Sequence, residues 1–351
     1  MNHSNPFDFT KKIFFHPEQI VKYKQGERPF PVTMEIDLTN NCNHKCVWCY
    51  DLDKHVQSAS EFLNTAVIKE RLKEAYGLGT RGLNFSGGGE PMLHKDFLDI
   101  LRFAKDMGFD LGLITNGSAI HSKNVQSLSE LLTWVRISMA GGDRASYRDI
   151  QGVDQFDMVI EKIRLLSQIK KRMRTKLVIG IRVLVLEKNL HSLENMAGIL
   201  KDMEINYLQL APDQFSTDGG AFWNSSENQK TQETVREILK ERGIALLGAG
   251  FSVVQDNLNY PRTCYAHFFQ AVITAKGELR FCKNARGDDN YILGNINEQT
   301  LKEIWNSDKN KEIESWVRPD NCGLFCKNMA LNTTMEDILY PPAEIARNFV
   351  N

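Results

Sequence analysis

An α/β architecture, a partial (βα)6 barrel followed by a small C-terminal α+β unit, is predicted by three observations. Six apolar, β-branched runs alternate with segments of helical period between about Val32 and Arg242. Several of those runs are continuously apolar, the pattern of strands covered on both sides. Beyond residue 245 the rhythm breaks into short strands, scattered cysteines and a brief helix around LKEIWNS.

The candidate strands are 32–39, 82–86, 110–115, 134–139, 176–185 and 205–210. Helix candidates lie between them, starting with EFLNTAVIKERLKEAYGL and ending with TQETVREILKERG, each with apolar residues at three- and four-residue intervals. Six strand-helix pairs imply a parallel sheet. We divide the chain into an N-terminal extension (1–30), the barrel (31–245) and a smaller C-terminal unit (246–351).

Composition limits the function. Of 351 residues, 42% are hydrophobic and 25% charged, ordinary values for a chain that buries a sizeable core. Forty-three basic residues balance 44 acidic ones, so no field of one sign draws nucleic acid or an anionic membrane surface, and a small, near-neutral substrate fits better. The N-terminal segment is broken by prolines and charges, and a cytoplasmic location is expected. Seven cysteines in a reducing compartment point to metal or redox chemistry rather than disulfides.

In parallel barrels, function gathers on loops after the strand C-terminal ends. The loop after the first strand reads CNHKCVWCY and places Cys42, Cys46 and Cys49 within nine residues. The same thiols would serve a zinc knuckle completed by a distant ligand such as His44. Alternatively, three thiolates hold a 4Fe-4S cubane and leave one iron open. After the second strand comes SGGGEP, where glycines admit close approach of a ligand and Glu90 can accept hydrogen bonds from an ammonium group.

The CxxxCxΦC loop, with Trp48 as the aromatic, followed one strand later by GGE, resembles the signature of radical S-adenosylmethionine enzymes. The resemblance covers roughly residues 30 to 245. It implies that Cys42, Cys46 and Cys49 ligate a 4Fe-4S cluster whose open iron chelates S-adenosylmethionine, and that electron transfer releases a 5'-deoxyadenosyl radical. It further implies that Trp48 lies near the adenine and that Gly88, Gly89 and Glu90 bind the methionine amino group. Asn116, in ITNG, and Ser138 on the fourth strand resemble further cofactor contacts; Arg182 on the fifth is either a second polar contact or an inward arginine satisfying barrel carboxylates, and Asn189 follows in the next loop. Where many relatives carry an arginine this chain has Gln151, with Arg148 one helical turn earlier as a possible substitute.

The remaining cysteines are Cys264, Cys282, Cys322 and Cys326. AVITAKGELRFC reads as a hairpin turning at Lys276-Gly277, which brings Cys264 and Cys282 towards one end. This stretch resembles the SPASM and Twitch extensions, and the resemblance implies an auxiliary 4Fe-4S cluster on these four cysteines. The terminal pair is spaced C-x3-C where C-x2-C is expected, and a structural zinc site would use the same thiols. Candidate bases are Asp213, after the sixth strand, with Gln209 and Gln214 as neighbouring substrate contacts, and His94 and His267. Asp213 could equally cap a turn, and lone histidines often only pack.

These features predict a radical enzyme that dehydrogenates a small polyhydroxylated substrate, sugar or aminocyclitol-like. Three catalytic and four auxiliary cysteines leave no thiol to return a hydrogen atom, which favours oxidation over epimerisation. Radical modification of a peptide or protein side chain, and a non-catalytic iron-sulfur or zinc scaffold, are the alternatives. A flavodoxin or ferredoxin electron donor is expected from the resemblance.

Overall fold

The computed structural model describes residues 9–49, 60–213, 220–248, 261–285, 287–322, 326 and 328–341. Seven parallel strands carry the barrel: β1 (Thr33–Asp37), β2 (Gly82–Ser86), β3 (Asp110–Thr115), β4 (Trp134–Met139), β5 (Val178–Leu184), β6 (Tyr207–Ala211) and β7 (Ala245–Gly248). They lie side by side in chain order. Helices alternate with them, including Thr65–Leu78, Phe97–Asp106, Phe156–Met173 and Ser226–Lys240. The partial barrel is thus present, with a seventh strand after the sixth predicted helix.

Local chemistry sets the helix limits. The Asn64 side chain accepts from the backbone N–H groups of Ala66 and Val67 and starts the helix Thr65–Leu78. Gly79, at φ +114°, stops it in a left-handed conformation that a side chain would resist. The outward faces of the strands supply the core against these helices: Ile36, Leu83, Leu111, Ile137, Ile181 and Leu208 are all fully buried.

The opposite strand faces line the barrel interior. On β4, half-buried Trp134, Arg136 and Ser138 alternate with buried Val135, Ile137 and Met139. Neighbouring strands contribute Glu35, Asn84, Arg182 and Gln209 in matching register. The lumen is therefore markedly polar.

The C-terminal unit is joined to the same sheet. Strands β8 (Gln270–Ile273) and β9 (Glu278–Arg280) form the expected hairpin, with Gly277 at φ +83° in its turn. β10 (Ile292–Asn295) pairs with β9. The hairpin does not form a separate sheet: β8 runs parallel to β1, Thr33 opposite Gln270, giving one sheet of ten strands. Side chains reinforce the junction. The Glu74 carboxylate accepts from the N–H groups of Leu301 and Lys302 at the start of helix Leu301–Trp305, and Trp305 Nε1 donates to the Pro29 carbonyl at 3.0 Å. Among the described residues no helix is long and apolar enough to cross a membrane.

Candidate functional site

The three-cysteine loop leaves the C-terminal end of β1 and rests on two backbone supports. On one side Gly89 N–H donates to the Thr39 carbonyl at 3.0 Å and Glu90 N–H to the Asn41 carbonyl at 2.8 Å, joining SGGGEP to the residues just before Cys42. A methyl group on Gly89 would overlap the Asn41 carbonyl, so only glycine permits this approach. On the other side Lys45 N–H and Val47 N–H donate to the carbonyls of Gln151 and Ile150, at the end of helix Arg144–Gln151. Gly152, at φ +70°, closes that helix beneath the loop.

Side chains then orient the thiols. Asn116 donates through Nδ2 to Asn43 Oδ1 at 2.9 Å and lies 4.0 Å from the Cys42 sulfur. Gln151, fully buried, pairs its Oε1 with the Cys46 thiol at 2.6 Å and donates Nε2 to the Ser138 carbonyl at 3.0 Å. Both ends of the Gln151 amide are therefore used inside the protein, on Cys46 and on β4. Arg148 does not take over a carboxylate clamp, because it is exposed and paired with Asp149 at 3.0 Å.

Burial raises the Cys46 thiol, and the neighbouring Cys42 and Cys49 raise it further. Three thiolates this close require cationic metal between them. Three thiols with no fourth protein ligand among the described residues suit a multi-iron cluster with one open iron. His44, the alternative fourth ligand, is instead buried edge-on to Tyr147 with Nε2 3.3 Å from Gln155 Oε1.

Glu90 is buried and accepts from Thr115 Oγ1 at 2.7 Å, Asn116 N–H at 2.7 Å and Met92 N–H at 3.2 Å. A carboxylate offers about four lone-pair directions, so one remains for an ammonium donor. Burial raises its pKa, and the three hydrogen bonds oppose that rise. Glu90→Gln is expected to weaken S-adenosylmethionine binding by about 1.5–3 kcal/mol, the range for a hydrogen bond to a charged group. Equilibrium dialysis on the cluster-loaded protein checks this, and unchanged affinity would remove Glu90 from the ligand shell.

At the barrel mouth Val47, Trp48, Leu186, Glu187, Lys188 and Asp213 surround a cavity of about 680 Å³. The buried Trp48 Nε1–H has no hydrogen-bond partner among the described residues. Asp213 thus lies beside the cysteine loop; Gln214 falls outside the described residues. Ser138 stands half-buried two rungs up from Trp134, level with Arg182 on β5. Gln209 accepts from Arg136 at 3.4 Å. Asn189 ties the ends of β4 and β5 together through the carbonyls of Ala140 and Leu184 and the N–H of Leu186, which leaves it no role at a ligand.

The two histidines proposed as bases are corrected by their surroundings. His94 is buried, with Nε2 2.9 Å from the Leu63 carbonyl and Nδ1 accepting from Asp96 N–H, so neither ring nitrogen is left for a substrate proton. His267 stacks on Phe281 at 3.9 Å and meets Asn310 at 3.2 Å. Burial, with Arg28 nearby, lowers its pKa to about 3, so it stays neutral and packs.

The four C-terminal cysteines converge. Burial raises Cys264 to about 12, and Cys282 and Cys326 add to the rise. Cys322 and Cys326 perturb each other's titration, so the C-x3-C spacing still brings both thiols close together. Arg280 shapes the loop after Cys282 through Glu278, Asp289 and the Asp288 carbonyl. Since β8 and β1 are parallel, this group lies at the N-terminal end of the strands, opposite the catalytic loop. Cys264 and Cys282 share a cavity with Thr33, Glu35 and Asn84 at the base of the lumen.

Comparison with known proteins agrees with this geometry. Residues 36–200 match the family profile described as the radical SAM superfamily, and residues 264–328 match SPASM, an iron-sulfur cluster-binding domain. A probable GTP 3',8-cyclase of Sulfurisphaera tokodaii is 28% identical over 214 residues, 60% of this chain and 64% of that relative's length. The PqqA peptide cyclase of Xanthomonas euvesicatoria is 24% identical over 292 residues, 80% of this chain and 75% of that one. The crystal structure of Streptococcus suis SuiB bound to S-adenosylmethionine superposes with a TM-score of 0.67 at 16% identity, covering 93% of this chain and 79% of SuiB. With its three-thiol loop, its GGE support and its second cysteine group, this chain belongs to the radical SAM superfamily, binds S-adenosylmethionine and a 4Fe-4S cluster, and carries a C-terminal SPASM domain for an auxiliary cluster.

Proposed function

We propose that the enzyme abstracts a hydrogen atom from a small polar substrate held in the barrel lumen and dehydrogenates it, the substrate being polyhydroxylated in the manner of a sugar or aminocyclitol. The observation that carries this reading is the placement of two cysteine groups at opposite ends of one polar lumen, three at the strand C-termini and four at the base. A five-residue strand spans about 17 Å, enough for a small molecule between them.

When bound, the cofactor and catalytic cluster supply a 5'-deoxyadenosyl radical. The protein's own contribution is positional: Glu90 and Trp48 fix the cofactor, and lumen side chains turn one substrate C–H toward it. Asp213 at the mouth is the candidate acceptor for the neighbouring hydroxyl proton. The substrate then loses a hydrogen atom, a proton and an electron, two hydrogens in all. The base cysteines hold the electron acceptor, and a flavodoxin or ferredoxin supplies the low-potential electron that starts the cycle.

A second reading, radical modification of a peptide, is favoured by the similarity to a PqqA peptide cyclase over 80% of this chain. One experiment separates the two. Reconstituted enzyme is incubated anaerobically in heavy water with S-adenosylmethionine, a reductant and pooled sugars and peptides. A small product two hydrogens lighter than its substrate is expected. An isomer carrying one solvent deuterium indicates epimerisation, a crosslinked peptide indicates the second reading, and no 5'-deoxyadenosine with any substrate leaves only a scaffold.

A further inference from the structure

Two arginines lie together inside the barrel, Arg182 among the expected cofactor contacts and Arg136 outside them. Arg136 on β4 and Arg182 on β5 occupy successive rungs of the lumen face, since Arg136 is level with Gly180 and Arg182 is level with Ser138. Both lie deep between strands yet keep part of their surface open to the interior. Among the described residues neither guanidinium is in an ion pair, although Glu35 on β1 lies within electrostatic reach of Arg136. Arg136 donates to Gln209 Oε1 at 3.4 Å, and its Nε is buried with no partner among the described residues.

Such an arrangement is unfavourable in an empty barrel. Burial lowers the pKa of both groups, and Arg136 lowers Arg182 further, to about 9. A buried cation persists where a counter-charge completes it. Two adjacent guanidiniums offer planar, bidentate donor sets suited to a carboxylate or phosphoryl group. Gly180 makes room for the Tyr207 ring, which a methyl group there would strike and which lies within electrostatic reach of both arginines.

We propose that Arg136 and Arg182 form an anion subsite in the lumen, and that the substrate carries a carboxylate or phosphoryl group which they bind. The inference deepens the proposed function by naming an acidic substrate, and it rests on that reading in taking the lumen as the substrate chamber. Arg136 sits one rung below the level of Ser138, so an anion held there anchors the far end of a substrate whose reacting carbon faces the cofactor.

The test needs no turnover. Cluster-loaded enzyme saturated with S-adenosylmethionine, without reductant, is titrated calorimetrically at low salt with succinate, inorganic pyrophosphate and uncharged succinamide. Wild type is expected to bind at least one anion in the millimolar range, and at least tenfold more tightly than succinamide. Preference for succinate or pyrophosphate distinguishes a carboxylate from a phosphoryl ligand. Arg136→Met and Arg182→Met are each expected to weaken that binding at least tenfold. Should Arg136→Met fail to fold, Arg136→Lys, which keeps the charge but loses the fork, is expected to show a several-fold loss. Equal binding of all three probes overturns the proposal, as does anion binding unchanged by the substitutions. It is also overturned if Arg182→Met weakens S-adenosylmethionine binding while leaving anion binding intact. Because no radical is generated, anion binding can fail while 5'-deoxyadenosine formation persists, and the reverse, so the two readings fail separately.

Discussion

Changing Cys42, Cys46 and Cys49 together to alanine is expected to abolish S-adenosylmethionine cleavage while the protein retains about four of about eight irons. In the proposed assignment each thiol supplies one of three protein bonds to the catalytic cluster, and no other described cysteine lies at that end of the strands. The loop itself should persist, because its supports are backbone hydrogen bonds from Gly89, Glu90, Lys45 and Val47 that alanine leaves intact. Iron analysis and Mössbauer spectra of the anaerobically reconstituted variant check the first part, and chromatography of 5'-deoxyadenosine the second. Persistent cleavage would show that the cluster is held elsewhere.

Gly89→Ala is expected to have an almost equal effect without removing a cysteine. The added methyl would collide with the backbone of Asn40 and Asn41, which cannot rotate aside as a side chain could. Overpacking of this kind costs about 1–3 kcal/mol, sometimes more, and relief comes by separating the GGE turn from the cysteine loop. That separation breaks the hydrogen bonds of Gly89 to Thr39 and Glu90 to Asn41 and removes Asn116 from its place beside Cys42. The expected result is a folded chain by circular dichroism with auxiliary iron near normal, catalytic iron greatly reduced, and cofactor cleavage lowered at least a hundredfold. Normal iron and turnover would mean that the two loops move independently.

Much of the barrel was legible because its strands are short aliphatic runs bounded by turn residues. The stretches 82–86, 110–115 and 134–139 are strands over their whole predicted length. Strand β7 was missed, since ALLG is four residues long and carries no alternation. The Lys276-Gly277 turn was readable from its local signal, whereas the pairing of β8 with β1 joins distant segments and leaves no mark in either one. The site shows the same division. Cysteine spacing and GGE are local and announce themselves. By contrast, the neutrality of His267 and the engagement of His94 Nε2 depend on partners remote in sequence. Arg136 could have been found, because WVRISM alternates and places it on the same face as Ser138.

The parallel pairing of Thr33 with Gln270 also bears on how the chain is made. During synthesis β1 emerges early, but its outer neighbour follows only after nearly the whole barrel. Until then one edge of the sheet exposes unpaired N–H and C=O groups, the kind of edge that recruits strands from other molecules. The hairpin is therefore a clasp for the nascent barrel as well as a carrier of cysteines. A chain cut after β7 would be left with a sticky flank, and its aggregation would be a failure of folding rather than of electron transfer.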